Sequence, residues 1–173
     1  MIRPWQKLGS RPVGDFRIFT VRSDQKVSPR TGERHDFYVI DCVDWVNVLA
    51  VTSDRQLVMV EQYRHGSNTV ELEIPGGIMD AADASPVDTG VRELREETGY
   101  EGVRPRVLGS VFANPAIMSN SSHIVLVENC ALRHSVDFDS GEEAGELVAT
   151  GKIRHPLVVV ALYHFDLWLR RGE

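Results

Sequence analysis

The run Arg92-Glu93-Leu94-Arg95-Glu96-Glu97-Thr98-Gly99 places Glu97 four residues after Glu93, and Glu96 three after it. On a helix these spacings bring side chains to one face, so three carboxylates can converge where like charges repel. Glu96 and Glu97 also fall just before a glycine suited to end a helix. There the negative end of the helix dipole disfavours an anion by about 0.3–1 kcal/mol each. Two readings stand on the carboxylates alone. One is a solvated face whose charges pair with Arg92 and Arg95. The other is a site for a hard divalent cation, since Mg²⁺ takes carboxylate, carbonyl and water oxygens and bridges readily to phosphates.

The flanking residues supply the elements that must position this cluster. Ser85 suits an N-cap, Pro86 the first helical position and Asp88 a capping-box-like partner, while Gly99 suits the terminator. With Val87, Val91 and Leu94 at helical spacing, they predict a helix over 86–98. A short strand over 70–74 precedes it and breaks at Pro75-Gly76-Gly77, where backbone is presented without side-chain bulk. Upstream, 16–22 and 36–41 read as an antiparallel strand pair separated by turn formers at 28–32. The runs 45–52 and 57–63, joined by the polar residues 53–56, read as a second pair. Downstream come strands near 106–113 and 122–128, an acidic loop over 137–146 and a truncated strand at 147–150. A last helix spans 156–169, with Leu157, Val160, Ala161, His164, Leu167 and Trp168 in one stripe.

The stretch Gly77 to Tyr100, GIMDAADASPVDTGVRELREETGY, resembles the Nudix box of the Nudix hydrolases. Nine consecutive positions, Arg92 to Tyr100, fit its helical half. The first half departs from the pattern. Counting back from Arg92, the family's lone glutamate falls on Ala84 and its glycine on Ile78, so one residue is inserted and Asp83 is the nearest acidic stand-in. The resemblance implies an α/β fold, an α/β/α sandwich with a mixed sheet. It also implies that Glu93, Glu96 and Glu97, with a carbonyl from Gly76 or Gly77, bind Mg²⁺ or Mn²⁺, and that Arg92 holds the carboxylates. The segments LVMVEQYR and VELEIPGG are similar to the ADP-ribose pyrophosphatase branch. Its roles carry Arg64 to the substrate phosphates and place Glu73 and Gly77 in the site. ANPAIMSN, which includes Met118, is similar to that branch's loop after the sixth strand. Phe37 and Trp5 are candidates to stack on a base. Glu142 or Glu143, with Glu146 nearby, is the expected base that activates water. The implied reaction cleaves the pyrophosphate bond of ADP-ribose or another nucleoside diphosphate sugar, a small-molecule partner. A non-catalytic nucleotide-sugar sensor, and an isomerase or a hydrolase of dinucleoside polyphosphates or coenzyme A, are the alternatives on the same fold.

Composition narrows the partners. The chain has 173 residues, 42% of them hydrophobic, and a formal charge of −6 without a run of Lys or Arg. It can bury a sizeable core, and it has no broad basic field to attract nucleic acid. No apolar run approaches the ~20 residues of a membrane span, so a soluble, cytoplasmic protein is expected. Cys42 and Cys130 have no metal-ligand spacing and read as reduced structural thiols. The six histidines, His35, His65, His123, His134, His155 and His164, show no such spacing either. The resemblance further implies a division into an antiparallel β extension at 1–44, through which a homodimer forms, and a hydrolase domain at 45–173.

Overall fold

A computed structural model describes residues 2–135, the backbone of 142–146, and residues 153–171. In chain order the elements are β1 (Gln6–Asp15), β2 (Thr20–Val27), β3 (Arg34–Asp41), β4 (Trp45–Thr52), β5 (Val58–Arg64), β6 (Thr69–Glu73) and β7 (Gly76–Ile78). They continue with α1 (Pro86–Thr98), β8 (Tyr100–Phe112), β9 (Ser121–Leu132), β10 (Glu142–Glu146) and α2 (Pro156–Arg171). The chain divides into two compact units, residues 1–43 with 112–121 and residues 44–111 with 122–173.

In the second unit, β4 is apolar along most of its length because both of its faces are covered. Val46, Val48 and Ala50 join Val58, Val125, Val127 and Leu94 of α1 in one core cluster. Leu49 and Val51 join Met59, Ile74, Ile124, Leu126 and the α2 residues Val158 and Ala161 in another. Alternate side chains of a strand point to opposite faces, so these two clusters place β-structure between the two helices. The sheet around β4 is mixed, ordered β7-β4-β9-β8, with β4 parallel to β9 and antiparallel to β7. A three-stranded sheet ordered β10-β5-β6 completes the unit. The α/β/α sandwich with a mixed sheet is therefore present.

The first unit is the antiparallel sheet β1-β2-β3. Residues 112–121 belong with it rather than with the segment that surrounds them in sequence. Met118 bridges Ile40, and the Ser119 hydroxyl donates to Asp41 at 2.6 Å. On the same sheet Asp24 is buried at 2% exposure, and it meets Lys7 Nζ at 2.8 Å and Ser10 Oγ at 2.6 Å.

Four expectations change. β1 was not anticipated, because Gly9 and Pro12 interrupt any alternation and the strand carries two register shifts. β2 starts at Thr20 rather than 16, since the chain turns at 16–19 with Arg17 at φ 70, and it runs on through polar residues to Val27. The runs 45–52 and 57–63 share only the bridge Val51–Leu57, because β4 pairs with β7 and β9 while β5 pairs with β6 and β10. Part of the acidic loop, Glu142–Glu146, is strand β10 against β5. The strand expected at 147–150 lies outside the described residues. Among the described residues no helix is long and apolar enough to cross a membrane. Neither cysteine is in a disulfide, and burial pushes the Cys130 thiol up to about 11.

Candidate active site

Local chemistry fixes α1 at both ends. Ser85 Oγ accepts the Asp88 N–H at 3.2 Å, and Gly99, at φ 70, donates its N–H to Arg95 O at 2.9 Å. Inside the helix, a Cβ on Gly90 would come within 3.1 Å of Val125, so the glycine lets α1 press against β9. Leu94 and Thr98 are buried on this side. Glu93 and Glu97 meet the glycine pair: Gly76 N–H donates to Glu97 Oε2 at 2.8 Å. A Cβ on Gly77 would lie 2.3 Å from Glu93 Oε1, so the carboxylate rests on bare backbone.

Arg92 is the hub. Its Nε and Nη2 donate to the two Asp83 oxygens at 3.3 and 2.9 Å. Nη1 donates to Glu93 and to Glu96, both at 2.9 Å, and Nη2 also reaches the Ile78 carbonyl at 3.2 Å. These charge-assisted bonds set the electrostatics. The bond to Arg92 holds the Asp83 carboxyl well below its ordinary range, and the bond to Asp83 raises the Arg92 guanidinium. Glu93 moves the other way: burial pushes its carboxyl up, and Arg92 only partly offsets that.

Asp83, the inferred stand-in for the missing motif glutamate, accepts from Arg92 and from Thr89 Oγ1 at 2.9 Å. The three glutamates expected to converge do not form a ready cage. Among the described residues no three His, Cys, Asp or Glu side chains are grouped to hold a metal ion. Arg92 takes oxygens of Glu93 and Glu96, while Glu97 bonds to Gly76. The donor set nevertheless suits Mg²⁺ or Mn²⁺. Glu93 and Glu97 lie against adjacent residues of one backbone segment, and Mg²⁺ is usually held by one or two carboxylates, waters and substrate phosphates rather than by an all-protein cage.

A second group forms on β5 and β6. Arg64 donates through Nε and Nη2 to both oxygens of Glu73, each at 2.7 Å, and Glu73 is 2% exposed. Phe37 and Met118 belong to the first unit. Phe37 packs edge-on to Trp5 at 5.3 Å with Lys26 above its ring, and the Met118 N–H bonds to Asn114 O. Glu142 and Glu143 are paired in register with Gln62 and Glu61, and only their backbone is described. The sequence reading missed Arg154 and Glu71, joined by two bonds at 2.8 and 3.2 Å. Their signal was the alternation Glu71-Leu72-Glu73, two acids on one strand face that need cations opposite.

Residues 43–158 match the family model of the NUDIX domain. The ADP-ribose pyrophosphatase of Bacillus subtilis (strain 168) is 30% identical over 105 residues, which cover 59% of this chain and 56% of that protein. The ADP-ribose pyrophosphatase of Mycobacterium tuberculosis is 30% identical over 124 residues, covering 70% and 58%. The matches thus span little more than half the length of these curated relatives. The crystal structure of an ADP compounds hydrolase superposes with a TM-score of 0.82 at 19% identity, covering 99% of this chain and 97% of that one, which establishes a shared fold. The helix of glutamates, the glycine pair it meets and the match over 43–158 together make this chain a member of the Nudix family.

Proposed function

We propose that the protein is a metal-dependent pyrophosphohydrolase that cleaves ADP-ribose, or another nucleoside diphosphate sugar, to a nucleoside monophosphate and a sugar phosphate. The observation that carries this reading is the placement of two carboxylates, Glu93 and Glu97, against the Gly76–Gly77 backbone with Arg92 clamped beside them. A Mg²⁺ or Mn²⁺ ion held by Glu93, Glu97 and Glu96 would polarise the diphosphate and lower the pKa of water. Arg92, tied to Asp83, fixes Glu93 and Glu96 in position. Arg64, oriented by Glu73, meets the negative phosphate oxygens, and a carboxylate of β10, Glu142 or Glu143, takes the proton of the attacking water. The water oxygen bonds to one phosphorus, the bridging P–O bond breaks, and the leaving phosphate keeps the electron pair. Phe37 and Met118 are the residues we assign to contacts with the base and sugar.

A panel of nucleoside diphosphate derivatives incubated with Mg²⁺ or Mn²⁺, with products separated by chromatography, tests the reaction. A nucleoside monophosphate and a sugar phosphate are expected. Glu97→Gln should lower turnover by more than about 100-fold, beyond the 10–100-fold typical of groups that merely orient a metal ligand. Tight binding of a nucleotide sugar without turnover would favour a sensor instead. We further propose that the β1-β2-β3 sheet mediates a homodimer, because it leaves Leu8, Val13 and Tyr38 exposed. Light scattering that gave a monomer mass at micromolar concentration would reject that proposal.

A further inference from the structure

Three side chains that the proposed diphosphate chemistry does not use form a hydrogen-bonded row on the β7-β4-β9-β8 sheet. Ser110 Oγ and His123 Nδ1 are 2.7 Å apart, and His123 Nε2 and Asp44 Oδ2 are 3.1 Å apart. Ser110 lies on β8, His123 on the neighbouring strand β9, and Asp44 immediately before β4. An ionised carboxylate only accepts, so the Nε2–H of His123 donates to Asp44. In the neutral ring this leaves the lone pair on Nδ1, and the Ser110 hydroxyl donates to it. A hydroxyl bonded to a basic ring nitrogen, with the ring oriented by a carboxylate, is the arrangement that makes a serine nucleophilic.

The strand is shaped to make this contact. Leu108 packs on the core cluster that faces α2, and a Cβ on Gly109 would also turn to α2, 2.6 Å from His164. Two successive residues on one side break the alternation of β8 and aim Ser110 at the other face. His123 occupies that face, because Val125 of the same strand packs with Leu94 of α1 while Ile124 packs toward α2. Ser110 is exposed, so a reagent reaches its hydroxyl, whereas the His123 side chain behind it is only 18% exposed. Among the described residues β8 is the last strand of its sheet. Alternate backbone N–H groups along such an edge have no strand partner and can meet a developing oxyanion. Lying open at a sheet edge, the row admits small esters.

We infer that Ser110 is an acyl-accepting nucleophile, with His123 as its base and Asp44 orienting the ring, and that its substrates are small activated carboxylic esters. The Ser110 oxygen bonds to the carbonyl carbon and its proton passes to His123 Nδ1. The bond to the leaving oxygen then breaks, and that oxygen keeps the electron pair and takes the proton from His123. Water removes the acyl group by the same route and restores the hydroxyl. The step uses no metal and is independent of the pyrophosphohydrolase reading. The full chain in EDTA, treated with a fluorophosphonate at about pH 8 and digested for mass spectrometry, should carry the adduct on Ser110. It should form at least about 100-fold faster there than on the exposed Ser53, the gain that a positioned base supplies. His123→Gln should lose that advantage. Asp44→Asn should slow the adduct at least about tenfold, and Asp44→Glu, which restores a carboxylate, should slow it less. Wild-type protein should release nitrophenolate from p-nitrophenyl acetate at least about tenfold faster than Ser110→Ala, whose melting temperature should be unchanged. Labelling of Ser110 no faster than Ser53 overturns the proposal even if His123→Gln does not fold. An unchanged adduct rate in a folded His123→Gln, or equal nitrophenolate release from Ser110→Ala, overturns it as well, because the row would then only tie the strands together.

Discussion

A methyl group added at Gly77 would sit 2.3 Å from Glu93 Oε1, whereas one added at Gly76 would sit 2.2 Å from the Val46 carbonyl oxygen. The first obstacle is the end of a flexible side chain. It can swing away, so Gly77→Ala should keep its melting temperature within a few degrees while losing about 10–100-fold in Mg²⁺-supported kcat/KM, the range expected when a metal ligand is displaced. The second obstacle is backbone in the β4–β7 ladder, where Asn47 is paired with Gly76. Relief there requires β7 to leave β4, and Gly76→Ala should therefore cost more than about 3 kcal/mol in urea unfolding. If the two variants were equally stable, the close packing of this glycine pair would not be what seats the glutamates. Arg92 has a comparable constraint. Its guanidinium bonds to three carboxylates and a carbonyl, an arrangement that costs less to keep than to break because each partner would be left with an uncompensated charge.

The helix that carries these residues was legible because its limits are set locally. Ser85 accepts the Asp88 N–H, Pro86 opens the first turn and Gly99 takes the left-handed conformation that closes the last. Ser85→Ala should thus lower stability by about 1 kcal/mol, measured by thermal or urea unfolding, and a change near zero would mean that packing of Leu94 and Gly90 alone holds the helix start. The spacing of Glu93, Glu96 and Glu97 was legible for the same reason, since it follows from 3.6 residues per turn. Strand partners were not. β4 pairs in parallel with β9, Trp45 opposite Ser122, and an apolar run records that it is buried without recording by what. Polar strands were harder still. β2 and β10 carry Ser, Asp, Gln and Glu because neighbouring strands satisfy their backbone, so neither shows the alternation that marks a half-buried strand. At the site, the sequence joined Arg92 to the glutamates but could not foresee that the same guanidinium would also take both oxygens of Asp83. Nor did it pair Arg154 with Glu71, 83 residues away.

Acid should weaken the β1-β2-β3 sheet of the first unit. In the β1-β2-β3 sheet, burial by itself raises the Asp24 carboxyl, but Lys7, Ser10 and Arg22 outweigh it and hold the group at about 2, below the ordinary 3.8. Asp41, bonded to Arg22, is also lowered. A carboxyl whose pKa is lower folded than unfolded contributes stability that is complete above the unfolded value. That contribution fades as pH falls toward the folded one, because the unfolded chain takes up the proton first. The stabilisation from Asp24 is therefore present above about pH 4 to 5 and is lost progressively toward pH 2. Trp5 packs edge-on against Phe37 and His35 and reports on this sheet. A chain with Trp45 and Trp168 changed to Phe should show Trp5 fluorescence unfolding at lower urea as pH drops from 5 to 2. Asp24→Asn removes the titrating group and leaves Lys7 without its anion, so it should lower the urea midpoint at pH 7 and flatten the pH dependence between 5 and 2. If the Asn variant kept the wild-type slope, the buried Asp24 cluster would not be the source of the acid sensitivity of this sheet.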